Sequence, residues 1–142
     1  MNALPRLETI VCELLETFDI IAPPVAIESM LQHPRPDMWS EVNPRNISLG
    51  FLSSKEQYAP RMSLARLLAR EIVSSDWGRQ RHVPELVAEE GQMQAFARML
   101  IMPVHMIQAL SGGARTPAEL SRHFEVPVED ARLRLAELTD YL

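Results

Sequence analysis

The stretch SLARLLAR, residues 63–70, sets leucines at 64, 67 and 68 against arginines at 66 and 70. Together with Ile72, the leucines recur at the three- and four-residue spacings of one helical face. The segment therefore reads as a helix over residues 61–75 with Leu64, Leu67, Leu68 and Ile72 as its core stripe. Arg66 and Arg70 are one turn apart and share a different side of that helix. What they do depends on what the rest of the chain brings against them.

Downstream, residues 84–102 read as a second long helix, with Leu86, Glu90, Met93, Ala97 and Ile101 on one stripe. Glu90 falls in the middle of this apolar face. A carboxylate so placed takes its neutral form, finds a cation, or lies where a cleft opens to water. A short helix, VHMIQAL, follows Pro103 and stops at Gly112-Gly113. The final run, TPAELSRHFEVPVEDARLRLAELTDYL, opens with Thr116 as a cap and Glu119 three residues later, a capping box. Two helices around FEVP follow, at the spacing of a helix-turn-helix, with Leu120, Phe124, Val126, Leu133 and Leu135 as packing residues.

Upstream, Pro5 suits a first helical position, and Leu7, Ile10, Val11, Leu14, Leu15 and Phe18 mark one face of a first helix. VAIESMLQH reads as a short helix between Pro23-Pro24 and the prolines at 34 and 36. Between Pro36 and Pro60 the pattern changes. DMWSEV and NISLGFLSS are short, richer in β-branched and aromatic residues, and bounded by Pro, Asn, Gly and Ser, which predicts one or two strands. A lone strand at residues 47–52 needs a partner for its backbone groups, either a hairpin or a second copy in a homodimer. The expected fold is mainly α (α+β): one helical domain over residues 1–142, with a small β element and a C-terminal helical pair, residues 114–142, packed on it.

A length of 142 residues suffices for one domain with a real core, and 46% hydrophobic with 23% charged residues is the balance of a folded chain. Acidic residues interrupt the apolar positions of the N-terminus, and no apolar run approaches a membrane span of roughly 18 residues, so a cytoplasmic location without membrane contact is expected. Cys12 is the only cysteine; that excludes an internal disulfide or a cysteine-rich metal site and leaves it as a small buried hydrophobe. A net charge of −5 argues against broad phosphate attraction. The C-terminal pair deepens the point: from Thr116 onward six acidic side chains face three arginines, and Glu129 and Asp130 open the helix that would read bases.

His33, His82, His105 and His123 are scattered, none with a second His three or four residues away, so each reads as a surface or boundary residue. Ser63, Ser74 and Ser75 lack the GxSxG setting of a nucleophile, and no Gly-rich phosphate loop is present.

MSLARLLAR, MQAFARMLIMP and LSRHFEVPVEDARLRL, taken in that order, resemble the ImmA/IrrE family of zinc metallopeptidases. The resemblance implies a small, mostly helical fold and a role in cleaving helix-turn-helix repressors. Its runs align with residues 61–70, 90–103 and 120–135. In the family's HExxH helix, two imidazoles at i and i+4 hold zinc while the Glu between them serves as base on the metal-bound water. Here those positions are Arg66, Leu67 and Arg70, and only the family's third ligand looks retained, as Glu90. Arginine has no lone pair to give, and leucine moves no proton.

The resemblance therefore implies a degenerate member: no catalytic residues, no metal, no cofactor, and a cleft that binds a protein partner such as a transcriptional regulator. It also sets Arg66 and Arg70 against Glu90, where guanidinium groups would replace the dication, with Glu71 as a rival acid. Pro127 stands where the family carries a Ser-type cap. Two alternatives stay open: a metal-dependent peptidase with a non-standard or intersubunit site, and a helix-turn-helix DNA-binding protein.

Overall fold

Leu7, Ile10, Val11, Leu14 and Leu15 bury one face of the first helix, α1 (Leu4–Thr17). The computed structural model describes residues 4–43 and 58–139. Among them eight further α-helices follow: α2 (Ile27–Gln32), α3 (Ala59–Ser74), α4 (Asp76–Gln80), α5 (Val83–Leu86), α6 (Glu90–Ile101), α7 (Val104–Gln108), α8 (Pro117–Phe124) and α9 (Val128–Leu138). The described chain is mainly helical, and none of its helices is long and apolar enough to cross a membrane.

Helix α6 is the axis of the fold. Every residue from Ala95 through Ile101 is buried, Arg98 among them, so this half of the helix is covered on all sides. Helix α3 packs along it, α1 and α9 pack on other faces, α2 lies on α3, and α8 pairs with α9. Leu68 and Ile72 of α3 are fully buried and Leu64 nearly so, whereas Leu67 is only partly buried against the core. The first turn of α6 stands clear of this packing, and Glu90 is exposed there.

The long helix read over residues 84–102 is in fact two, α5 and α6, with residues 87–89 between them. The restart has a local cause. Glu89 is extended (φ −93°, ψ 145°) and its N–H donates to Gln92 Oε1 at 3.2 Å, so the Gln three residues into the turn caps the new helix. Helix α4 was not anticipated. Ser75 caps it by accepting from the Gly78 N–H at 3.0 Å, and Gly78 lies so close to the end of α3 that a Cβ there would collide with the Ile72 carbonyl.

DMWSEV is not a strand. Its backbone is tied to helices instead: Val42 N–H donates to the Leu31 carbonyl (2.8 Å), and the Asp37 carbonyl accepts from Trp77 N–H (2.7 Å). The Trp39 indole is buried and donates to the Met30 carbonyl at 3.1 Å. Trp39 holds the segment against the end of α2, and these hydrogen bonds to helices take the place of a sheet ladder. The strand expected at residues 47–52, and the homodimer it suggested, lie outside the described residues.

The C-terminal pair opens with Thr116 as its cap, Oγ1 accepting from the Glu119 N–H, but the expected capping box is only half made, because the Glu119 carboxylate accepts from Arg122 instead. Leu120, Phe124 and Val126 are buried in the core and Leu135 packs partly against it, but Leu133 is not among the core residues. The inward positions of α9 are Ala131, Arg134 and Leu138. A fully buried arginine takes the place given to leucine.

Candidate functional site: a cleft between two helices

One turn of α3 supplies Arg66, Ala69 and Arg70, and the first two turns of α6 supply Glu90, Met93, Gln94 and Ala97, to a single cleft of about 200 Å3. The structure thus brings together three of the four residues singled out in the sequence. Leu67 does not line the cleft; it turns partly toward the core. The floor is apolar and short (Ala69, Ala97, Met93), and the rim is charged.

The expected pairing of both arginines with Glu90 does not form. Arg66 instead approaches Asp130 of α9, at 3.8 Å between Nη2 and Oδ1, an ion pair too long for a hydrogen bond. Glu90 accepts from the Gln94 side-chain amide at 3.2 Å. Among the described residues Arg70 makes no hydrogen bond or ion pair. The physical reason lies in the position of Glu90: as the first residue of α6 it projects into solvent near the N-terminal end of the helix dipole, which already favours a carboxylate. It is not an unpaired charge on a buried apolar face. Glu71 does not compete either, because it lines a separate depression with Trp39 and Ser75.

These donors do not fit zinc. Two guanidinium groups offer only N–H, Gln94 offers a weak carbonyl, and Glu90 alone is one carboxylate. Among the described residues no group of three His, Cys, Asp or Glu side chains is placed to hold a metal ion. The arrangement is fitted for something else. Like charges at i and i+4 on an exposed helix face repel by a few tenths of a kcal/mol, and an anion lying across both relieves the repulsion.

A larger cavity, about 560 Å3, lies elsewhere, lined by Cys12, Leu15, Glu16, Asp19, Ile20, Ile21 and His105. Cys12 is partly exposed rather than a buried hydrophobe, and its Sγ is 3.3 Å from His105 Nδ1. Burial pushes the thiol up from its ordinary value, with Glu8 and Glu16 adding to the effect. A thiol held protonated is a poor nucleophile, so the pair lacks the activation of a Cys-His catalytic dyad.

Sequence reasoning missed the arginines that hold the frame. Arg134, with no exposed surface, reaches Glu8 on α1 (Nη2 to Oε1, 2.7 Å) and donates from Nε to the Met102 carbonyl at 2.9 Å. Arg98 on α6 makes a two-pronged contact with Glu137 on α9, at 3.1 and 2.6 Å. Arg61 donates to the carbonyls of Val25, Phe124 and Glu125 and pairs with Glu28. The contacts of Arg134 and Arg98 fix α9, and Asp130 with it, at the edge of the cleft, while Arg61 ties the end of α8 to α2.

No protein-family model, no curated protein and no solved structure matches the chain.

Proposed function

We propose that this protein is a non-catalytic binding module, a degenerate relative of the ImmA/IrrE peptidases whose cleft holds a segment of a protein partner without cutting it. The single observation that carries the reading is that Arg66 and Arg70 of one helix and Glu90 of another line one cleft. The resemblance required that meeting of helices, and composition alone did not. In that cleft no metal-ligand set is present among the described residues to activate water: the guanidinium groups of Arg66 and Arg70 offer no lone pair, and Glu90 is a single carboxylate. What remains is a shaped, charged recess between two helices, suited to grip. A transcriptional regulator is the partner class that the resemblance implies.

The test is capture of a helix-turn-helix regulator by tagged protein, compared with a variant in which exposed Gln94 is replaced by Trp to fill the cleft. Recovery of the intact regulator by the parent and not by Gln94→Trp supports the reading. Recovery of a cleaved regulator, equal recovery by both proteins, or recovery of none contradicts it.

A further inference from the structure

The charges around the cleft narrow what its occupant carries. Arg66 and Arg70 are both exposed and one turn apart; the carboxylate near Arg66 stands off at 3.8 Å, and Arg70 has no partner among the described residues. Glu90, the one acid lining the cleft among the described residues, is engaged by Gln94. Two guanidinium forks are therefore presented at the mouth of a recess whose floor, Ala69, Met93 and Ala97, is apolar. A planar monoanion on a short aliphatic stem matches this arrangement. The carboxylate meets the forks, and the methylenes lie on the floor.

A phosphate matches it less well. Glu90 inside the cleft and Asp130 at its edge repel a dianion more than a monoanion, and the chain's net charge of −5 repels a polyanion such as nucleic acid. Glu90 also offers acceptor oxygens to the backbone N–H groups of a bound peptide, which a free carboxylate lacks.

We infer that the cleft recognises an Asp or Glu side chain on the segment it binds, with Arg66 and Arg70 as the anion-binding pair and Glu90 as the group that excludes more highly charged anions. This rests on reading the cleft as a binding site and adds the chemistry of the ligand. The two arginines and Glu90 act with opposite signs on an acidic ligand, a pattern that a merely structural role does not produce.

The experiment pans a library of random short peptides against the full-length protein, then measures the recovered peptides by fluorescence anisotropy. The expected result is an Asp or Glu at one fixed position. Its replacement by Asn or Gln should weaken binding by about tenfold, and Arg70→Gln or Arg66→Gln should do the same, the scale of a charge-assisted hydrogen bond at partial exposure. Glu90→Gln should tighten binding by roughly threefold, through loss of a like charge. Melting curves matching the parent show that the variants fold, as expected for exposed side chains. Peptides that lack an acidic position, yet lose binding in Gln94→Trp, overturn the inference and leave the binding reading intact. Recovery of no peptide, or of peptides indifferent to Gln94→Trp, overturns both.

Discussion

Arg134 Nη1 lies 2.6 Å from Glu8 Oε2, a contact between two side chains 126 residues apart that ties the last described helix to the first. Neither has more than a trace of exposed surface. In so dry a setting each charge depends on the other. Removing one partner takes the compensating charge from the other, at a cost of about 3–5 kcal/mol, whereas replacing both with apolar residues of similar size costs far less. Urea unfolding should therefore show Arg134→Met and Glu8→Leu each strongly destabilising, and the double variant recovering most of the loss. A double variant as unstable as the sum of the singles would contradict this account.

The Arg81 fork grips Glu13 at 2.9 and 2.6 Å and lies 3.9 Å above the Trp77 ring. The hydrogen bonds from Arg81 hold the Glu13 carboxyl below the usual glutamate range, against a smaller opposing effect of burial. A depressed folded-state pKa stabilises the fold above the unfolded value and loses that contribution as the pH falls through the folded value. Glu13→Gln should therefore lower the melting temperature at neutral pH, and the gap to the parent should close as the pH falls below the usual glutamate range. A gap independent of pH would show that the ion pair contributes nothing.

Arg61 satisfies the carbonyls of Phe124 and Glu125 where α8 ends and that of Val25 before α2 begins. Arg61→Ala removes the side-chain donor to the Phe124 and Glu125 carbonyls and the ion-pair partner of Glu28, while Val25 keeps the Ile27 N–H, and should destabilise the protein by about 2 kcal/mol. Amide exchange should report the loss first in residues 117–126, as a local loosening of the C-terminal pair.

The Cys12 thiol, raised chiefly by burial and then by Glu8 and Glu16, should resist alkylation. Its rate against pH with iodoacetamide should reach half-maximum above the ordinary thiol value of about 8.5. A midpoint below that value would mean that His105 activates the sulfur.

Glu90 is exposed, so Glu90→Gln should change stability by no more than about 0.5 kcal/mol. A loss of several kcal/mol would restore the buried arginine–carboxylate cluster that the structure replaces.

Helices with strong three-and-four spacing were legible: the faces of α1 and α3 lie where Leu7, Leu14, Leu64 and Ile72 put them. The meeting of Arg66, Arg70 and Glu90 came only through resemblance, because no spacing within one helix reports which other helix packs on it. The break at Glu89 was missed although Gln92 stands three residues later, the signature of a cap, because apolar periodicity carries across it. Asp37 to Val42 looked like a strand because aromatic and β-branched residues favour sheets, and tertiary anchoring by Trp39 overrode that tendency. The buried ion pair also left a trace. Glu8 lies among Leu7, Val11 and Leu15, and Arg134 between Ala131 and Leu138, so each charge sits at core spacing in its own helix. Neither helix alone names the other's charge as its partner.

The proposed function rests on the Arg66–Arg70 turn serving anion binding and holding no metal. Elemental mass spectrometry of protein purified with added zinc tests it most directly, paired with melting curves in the presence and absence of chelator. The account predicts no stoichiometric metal and superimposable melts. One tightly held zinc per chain, lost together with stability on chelation, would contradict it and return Glu90 to the role of a metal ligand.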